Sequence, residues 1–352
     1  MRKSRKLSRY LILLAMMVTA IPFMPRAQGQ TNEKLAQTGL KFLSVGMSAR
    51  QAALADAFTA SEGNSVSMFY NPAGMARLGG LADVAAGQVN WIADIKQNYA
   101  AVALSPFSGD YGVVGLSFQY SDYGDIQATI LANNSQGFLD IGSIHPYAYA
   151  VGLGYARALS DKFSVGGNIK YVRQDLGNGI TQVNYIGTAG NFTGDSVVSQ
   201  NKNALDVVAF DFGLLYRTGF KSLMIGMAVR NFSREVTYQK ESFQLPLAFR
   251  IGVSMNVFDL TGFDREKQAL NITVDAEHPR DYPEQVKVGA EYVFMNMISA
   301  RVGYVGPADE HGISYGLGFQ TAMAGTQFGL DYAYTPFGIF NNVQRFSVRF
   351  GF

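Results

Sequence analysis

Apolar and polar residues alternate along most of the chain from residue 82 onward. In residues 286–292, for example, Val, Val, Ala and Tyr occupy every second position, with Lys287, Gly289 and Glu291 between them. Side chains of a β-strand point alternately to its two faces, whereas an amphipathic helix repeats every 3.6 residues. The pattern therefore predicts β-strands, each with one apolar and one polar face.

Turn residues divide the alternating region into about 14 predicted strands. An even number of strands is typical of bacterial outer-membrane barrels. The two longest connections, residues 131–144 and 177–203, fall at the same predicted end of the barrel. The predicted strands span residues 82–94, 97–106, 111–130, 145–158, 162–176, 204–218, 221–237, 245–258, 268–278, 284–294, 297–305, 311–322, 325–335 and 343–352.

The polar face of these strands carries charges of both signs. A soluble β-sandwich would expose such charges to water, whereas a membrane barrel would enclose them in its lumen and turn the apolar face to lipid. The apolar face is free of charge, as lipid requires, because a charge at mid-depth costs about 2–4 kcal/mol. We favour the barrel and expect the following residues in its lumen: Lys170, Asp211, Arg230, Asp275, Glu277, Lys287, Glu291, Arg301, Asp331, Arg345 and Arg349.

Both ends of the sequence favour the same compartment. Basic residues precede an apolar run of about 14 residues, shorter than the roughly 20 that a spanning helix needs. We therefore predict a signal peptide over residues 1–29, with a membrane anchor as the alternative. The last alternating stretch, residues 345–352, ends on Phe352 and resembles the final strand of a bacterial outer-membrane barrel. The predicted location is the outer membrane of a Gram-negative type of cell, where Trp91 is expected in the interfacial aromatic belt.

The composition offers little chemistry for catalysis or metal binding. Cysteine is absent, and the three histidines, at 145, 278 and 311, have no metal-ligand spacing. Without the predicted signal peptide the net charge is about −4, which does not suit a nucleic-acid partner. We predict no enzyme activity, no metal and no organic cofactor.

Residues 30–81 follow a different pattern from the rest of the chain. Residues 46–60 are rich in alanine and predict a short helix. Asn71 and Pro72 predict the start of a second helix, because Asn can cap a helix and Pro suits its first position. We interpret residues 30–81 as a plug inside a barrel formed by residues 82–352, with a soluble periplasmic extension as the alternative.

Several side chains of this segment are candidates for ligand binding or gating. Arg50 and Arg77 have the lumen acids Asp275, Glu291 and Asp331 as candidate partners. Arg77→Ala is then expected to loosen the plug and change the ion conductance. Asn71 and Pro72 are candidates for a pivot as well as for a helix start. Five large side chains are candidates for lining a lipid pocket, although packing against the barrel wall is the favoured interpretation: Phe42, Phe58, Met68, Phe69 and Tyr70.

A family resemblance rests on residues 42–60 followed by the Asn-Pro-Ala-Gly-Met-Ala motif of residues 71–76. These motifs resemble the plug signature of the PorV/PorQ family, which belongs to the wider FadL-like group of outer-membrane barrels. The similarity continues through residues 289–292, 301–304 and 331–334, and so covers nearly all of the chain after the predicted signal peptide. The resemblance implies an all-β membrane fold, namely a 14-stranded antiparallel FadL-like transmembrane β-barrel with an N-terminal helical plug in its lumen.

Two functions accompany this resemblance. As a PorV-type barrel, the chain would be a carrier and anchor of the type IX secretion system. Its partners would then be secreted proteins with C-terminal sorting domains and other components of that system. As a FadL-like transporter, it would take up long-chain fatty acids or other hydrophobic small molecules. The order of the motifs narrowly favours the secretion role, although Gly74 and Met75 continue the Asn-Pro-Ala motif as in the hydrophobic transporters.

Overall fold

Fourteen antiparallel strands close into a barrel in the computed structural model. The structure describes residues 38–131, 135–184, 187–188, 191–192, 197–238, 241–261, 267–308 and 311–352. The predicted signal peptide and the first residues of the predicted plug lie outside these ranges. The barrel strands are β1 (Ala82–Asn90), β2 (Lys96–Leu104), β3 (Val113–Asp122), β4 (Tyr147–Ala158), β5 (Phe163–Asn184), β6 (Val197–Arg217), β7 (Met224–Ser233), β8 (Ala248–Asn256), β9 (Gln268–Pro279), β10 (Gln285–Phe294), β11 (Ile298–Gly306), β12 (Ile313–Met323), β13 (Thr326–Pro336) and β14 (Asn342–Gly351).

Each strand of the barrel pairs with its neighbours in sequence, and β1 pairs with β14 to close the ring. The outer surface is apolar: Leu153 on β4 and Leu317 on β12 are 57% and 63% exposed. The charged residues predicted for the lumen face inward, where Asp211, Asp275 and Glu291 are buried. A soluble sandwich would bury the leucines and expose the charges, so the predicted membrane barrel of 14 strands is confirmed.

The connections distinguish the two ends of the barrel. The short turns, such as residues 159–162, 295–297 and 324–325, all lie at one end, which we call the turn end. The longest connections, which include residues 123–146 and 234–247, lie at the opposite loop end. Short turns of outer-membrane barrels face the periplasm and long loops face the exterior. Among the described residues, no helix has both the length and the apolar character needed to cross a membrane.

Three strand predictions differ markedly from the structure in their extent. The predicted strand 111–130 is interrupted after Asp122, whose side chain accepts a hydrogen bond from the Gly124 nitrogen at 2.8 Å, and Gly124 has a positive φ of 74°. This local turn ends the barrel strand, and Ile126–Leu131 pairs instead with Phe138–Ile144 in a separate hairpin. Strands β5 and β6 have 22 and 21 residues and remain paired beyond their barrel portion, which forms a long arm at the loop end.

The described part of the N-terminal segment, residues 38–78, lies inside the barrel and contacts its walls. Its only α-helical turn is Ala49–Ala52, and it also contains the 3-10 helices Lys41–Ser44, Ser65–Phe69 and Pro72–Arg77. The predicted helix over residues 46–60 is therefore mostly wrong. Ala55 and Asp56 have positive φ values of 54° and 60°, which end the α-helical turn.

Candidate functional site: the barrel lumen

Glycines in the wall bring the backbone of the N-terminal segment unusually close to the strands. A Cβ atom at Gly166 would lie 2.5 Å from the Ala73 nitrogen, and one at Gly213 would overlap the Asn71 side chain. Similar overlaps would occur where the wall meets residues 53–60. We call these inward-facing residues the glycine belt: Gly166, Gly213, Gly226, Gly303 and Gly316.

The glycine belt contacts only part of the N-terminal segment. Its neighbours lie between residues 53 and 73, within the part that we call the wedge, residues 48–78. The preceding part, residues 38–47, is called the strap, and none of its atoms is among those nearest to the belt. The backbone of the wedge therefore lies directly against the backbone of the wall. The strap is held instead by side chains and by the loops of the loop end.

Asn71 joins two parts of the wedge to the wall. Its Oδ1 accepts a hydrogen bond from the Ala73 nitrogen at 3.1 Å, so Asn71 caps the Pro72–Arg77 helix. Its Nδ2 donates to the carbonyl oxygens of Thr59 at 2.7 Å and Leu214 at 3.0 Å. This side chain thus makes three buried hydrogen bonds, and Pro72 occupies the first position of the helix.

A charged network connects Arg50 of the wedge to three strands. Arg50 donates from Nε and Nη2 to the two carboxylate oxygens of Glu291, at 2.9 and 2.8 Å. Arg301 donates to Glu291 at 2.7 Å and to Asp331 at 2.6 Å. The Glu291 carboxylate raises the pKa of Arg50 above its usual value. Bidentate pairs of this kind fix geometry as well as charge, so Arg50 ties the wedge to β10.

Arg77 has different partners from those predicted. It donates to the Ser160 carbonyl in the β4–β5 turn at 2.5 Å and lies 3.6 Å from the Glu62 carboxylate. The predicted pairing of Arg77 with Asp275, Glu291 or Asp331 is wrong, because the Pro72–Arg77 helix packs on β4, β5 and β6. Those acids are on β9, β10 and β13.

Asp275 holds the wedge through backbone groups. Its Oδ2 accepts hydrogen bonds from the backbone nitrogens of Phe58 at 3.0 Å and Thr59 at 2.9 Å. The predicted pairing of Asp275 with Arg50 is therefore wrong as well. A buried carboxylate is stabilised here by two N–H donors rather than by a cation, which no charge pattern in the sequence would reveal.

A bulge in β7 organises the charges near the loop end. Asn231 has a positive φ of 59°, and its nitrogen donates to Asp211 at 2.8 Å. Lys170 lies 2.8 Å from Asp211 and donates to the Asn231 side chain at 2.6 Å. Sequence reasoning identified Lys170 and Asp211 but missed Asn231. The one signal in the sequence that could have identified Asn231 is its residue type, because asparagine tolerates a positive φ better than most residues.

Arg230 and Arg345 both bind the strap. Arg230 donates to the Leu43 carbonyl at 3.3 Å, and Arg345 donates to the Gly46 carbonyl at 2.9 Å. The Arg230 guanidinium also lies 6.0 Å from the centre of the Tyr70 ring. Tyr70 is buried in the wedge and donates to Asp56 at 3.0 Å. Burial raises the pKa of Tyr70 well above its usual value, so its hydroxyl stays protonated.

An apolar sector of the lumen wall faces the strap. It lies on β4, β5 and β6 toward the loop end, and the sequence did not reveal it. The strap side chains Leu40, Phe42 and Leu43 pack against this wall. We call the following wall and loop residues the apolar sector: Ala148, Ala150, Val172, Leu205, Val207, Ala209, Val236 and Leu245.

The candidate aromatic residues are packed inside the lumen. Phe58 meets Tyr70 edge to face at 5.8 Å between ring centres, and Phe69 meets Tyr99 of the wall at 5.5 Å. A nearby cavity, lined by Arg50, Gln51 and Asn64 among others, has a volume of about 30 Å³. Pockets for small ligands usually have about 300–1,000 Å³, so a ligand at this position requires displacement of protein atoms.

Inward-folded loops cover the loop end. Trp91 packs edge to face on Phe337 at 5.2 Å between ring centres, and the Arg345 guanidinium lies 5.5 Å from the centre of the Trp91 ring. The prediction that Trp91 joins the interfacial belt is therefore wrong. His311 stacks on Phe337 at 4.5 Å, and burial lowers the pKa of His311.

The strap is fixed to two loops of the same end. Thr38 forms a parallel β-bridge with Gln244, and its hydroxyl donates a hydrogen bond to Asp281 at 2.7 Å. Lys41 forms an ion pair with the same Asp281. Within the described residues, His, Asp and Glu form no cluster of three or more that could hold a metal.

Comparisons with known proteins show the fold. No family profile and no curated protein sequence matches the chain. The toluene transporter TbuX of Ralstonia pickettii is 12% identical, with a TM-score of 0.56 over 87% of this chain and 97% of that one. A FadL homologue of Pseudomonas aeruginosa is 11% identical, with a TM-score of 0.55 over 86% and 97%. The toluene transporter TodX of Pseudomonas putida is 11% identical, with a TM-score of 0.52 over 83% and 94%.

The chain has the FadL-like outer-membrane barrel fold. That fold indicates an outer-membrane protein. No match supports the PorV/PorQ family itself, so membership in that family stays a prediction.

Proposed function

We propose that this protein is an outer-membrane transporter for small hydrophobic molecules, in which residues 30–81 form a plug and residues 82–352 form the barrel. The observation that carries the proposal is the apolar sector on the inner wall of the barrel, where the strap is seated. Solved neighbours of the same fold, described as toluene transporters, support this choice over the secretion role.

The strap occupies the place that a hydrophobic ligand would take. Leu40, Phe42 and Leu43 bury their side chains against the apolar sector, and full burial of such a side chain contributes about 1.5–3 kcal/mol. A ligand that enters from the loop end can supply the same apolar contact. The apolar area buried against the apolar sector would then change little when the ligand displaces the strap, because the ligand covers the surface that the strap side chains had covered.

The candidate residues take distinct roles in this proposal. Arg50, Asn71 and Asp275 hold the wedge, each through two or more hydrogen bonds. Phe58 and Tyr70 fill the space between the wedge and the wall. Arg230 and Arg345 hold the strap, and Arg77 fastens the wedge near the turn end.

A reversible lock on the strap tests the proposal. Thr38 and Gln244 are paired in a parallel bridge, a spacing that suits a disulfide, and the chain has no cysteine of its own. We expect T38C/Q244C cells to lose uptake of radiolabelled toluene under oxidising conditions and to regain it after reduction. The single variants T38C and Q244C are the controls. Full uptake by the oxidised double variant would reject displacement of the strap, and no uptake by cells with the wild-type protein would reject the transport function.

The carrier role in type IX secretion is the second candidate, and the long β5–β6 arm favours it. The arm extends from the loop end, where a secreted protein would bind. If the chain is a carrier, replacing residues 177–203 by a short Asn-Gly turn should leave hydrophobe uptake intact and remove proteins with C-terminal sorting domains from the cell surface. An unchanged surface proteome would exclude the arm as a docking site.

A further inference from the structure

The outer face of strands β1 and β2 differs from the rest of the barrel surface. Toward the loop end it carries the amides of Gln88 on β1 and Asn98 on β2, which are exposed and lie directly opposite each other in the ladder. At a comparable distance from the turn end, β12 and β14 carry the exposed apolar side chains of Leu317 and Phe346. We call four outward-facing residues of β1 and β2 the amide face: Ala86, Gln88, Asn98 and Ala100.

The two amides lie at a depth where the barrel contacts hydrocarbon. Gln88 is six residues from Ala82, and Asn98 is six residues from Leu104, where β1 and β2 end at the turn end. A tilted barrel strand rises about 2.5 Å per residue along the barrel axis, so six residues correspond to about 15 Å. Phe352, which is exposed beside Ala82, marks the turn-end edge of the apolar surface. Because the apolar band of such barrels is about 25 Å tall, Gln88 and Asn98 face lipid tails in a lone barrel.

Neither amide has a hydrogen-bond partner in its own chain. Within the described ranges, the side chains of Gln88 and Asn98 make no hydrogen bond to another residue. By contrast, Gln344, the outward-facing amide of the neighbouring β14, donates to the Asn342 side chain at 3.0 Å. Lipid tails offer neither a donor nor an acceptor, so an unpaired amide among them is costly. Gln88 and Asn98 therefore call for a partner outside the chain.

Small side chains beside the amides leave room for such a partner. Ala86 and Ala100 are paired in the ladder, whereas Val348 of β14 and Phe118 of β3 project outward at the same level. Both of these larger side chains are exposed. The amide face is thus the floor of a shallow groove. Small residues permit close contact between surfaces within a membrane, and such contact brings the hydrogen-bonding groups of a partner to the two amides.

The symmetry of the groove favours a second copy of this chain as the partner. A two-fold axis along the membrane normal, passing between β1 and β2, places β1 of one copy opposite β2 of the other at the same depth. Gln88 of each copy then meets Asn98 of the other. An amide carries both donors and an acceptor, so the two side chains are complementary in each of the two places. The amide face is uncharged, so two copies meet without electrostatic repulsion.

We propose that the amide face is the interface of a homodimer in the outer membrane, held by hydrogen bonds between Gln88 and Asn98 on both sides of the two-fold axis. This inference is independent of what the lumen transports, because the interface lies on the outer wall and each barrel keeps its own lumen. Replacing both amides by leucine would suit them to lipid and remove the hydrogen bonds that hold the two copies together.

Disulfide crosslinking in the native outer membrane tests the dimer. The chain has no cysteine of its own, and the two-fold axis places Ala86 of one copy opposite Ala100 of the other. We expect co-expressed A86C and A100C variants, which carry different tags, to form a mixed-tag dimer under oxidising conditions. A86C co-expressed with L317C, on β12, is the control and should form no mixed-tag dimer. Absence of the dimer from the A86C and A100C pair would overturn the proposal.

The amide variants are Q88L/N98L and, as the matched control, Q344L, each in the same cysteine backgrounds. Q88L/N98L should abolish the crosslink, whereas Q344L should keep it because Gln344 has its own partner in Asn342. Heat-modified migration in electrophoresis verifies that each barrel is folded. If Q88L/N98L does not fold, the cysteine pair alone decides. An undiminished crosslink in folded Q88L/N98L would overturn the role of the two amides.

Native mass spectrometry of the full-length wild-type protein in nanodiscs is a second measurement that needs no variant. We expect the mass of two chains, and single barrels alone would count against a stable homodimer. A crosslink between A86C and a protein of another mass would overturn the second copy as the occupant of the amide face and identify the protein that takes its place.

Discussion

At the residue scale, the lumen shows that buried charges can hold a segment of backbone in more than one way. Arg50 uses a bidentate ion pair with Glu291, whereas Asp275 uses two backbone N–H groups. The sequence predicted that these charges face the lumen, because charge alternates with apolar residues along the strands. It did not predict the partners, because partner choice depends on which wall each part of the N-terminal segment reaches.

Arg50→Met should loosen the wedge more than Arg77→Met. Arg50 loses two charge-assisted bonds to a buried carboxylate, whereas Arg77 loses one bond to a backbone carbonyl and a longer, 3.6 Å pairing with Glu62. We expect Arg50→Met to lower the free energy of unfolding by about 1–3 kcal/mol and to raise ion conductance in planar bilayers. Arg77→Met should have a clearly smaller effect on both. Equal conductance of the two variants would show that Arg50 does not hold the wedge.

At the element scale, the sequence predicted the strands better than the lining of the lumen. Strict alternation identified all fourteen barrel strands, because one face of most strands is charged. The apolar sector was missed because both faces are apolar there: in β4, inward Ala148 and Ala150 alternate with outward Tyr149 and Val151. A period of two then carries no information about which face lies inside.

Helix prediction for residues 46–60 failed for a different reason. Alanine favours a helix in isolation, but close contact with the glycine belt selects a compact irregular backbone that includes Ala55 and Asp56 with positive φ. Tertiary packing therefore overrides the local preference of the alanine-rich stretch.

A methyl group on the glycine belt should displace the wedge. A Cβ at Gly213 would overlap the Asn71 side chain, whereas a Cβ at Gly329 on β13 would meet its nearest atom at an ordinary 3.7 Å. We expect Gly213→Ala to lower the urea midpoint of unfolding by an amount that corresponds to about 1–3 kcal/mol, and Gly329→Ala to leave it nearly unchanged. Equal midpoints for both variants would mean that the close fit at Gly213 contributes nothing to stability.

At the scale of the whole molecule, the barrel and the wedge depend on each other unequally. The wall is closed by backbone hydrogen bonds between neighbouring strands, all the way from β1 to β14. None of these ladders includes a residue of the wedge. The wedge, in contrast, has only one turn of α-helix and depends on the wall for its shape.

Deletion of residues 38–78 should therefore leave a barrel that still closes. We expect the deletion variant to show heat-modifiable migration in electrophoresis, because its strand ladders are intact, and to conduct ions far more than the wild type. Its urea midpoint should be lower, because buried groups such as Asp275 lose their hydrogen-bond donors. A variant without a heat-modifiable band would show that the strap and wedge together are required for closure.

The hydrogen bond from the Ala49 nitrogen to the Ser347 hydroxyl, at 2.9 Å, joins residues separated by 298 positions in sequence. Contacts between such distant residues form late in folding, because the intervening chain must first be ordered. The segment that leads the barrel in sequence can therefore reach its native position only after the last strand has joined the first. Until then it stays accessible to proteases and chaperones, so a segment that is synthesised before the barrel strands is among the last parts to fold.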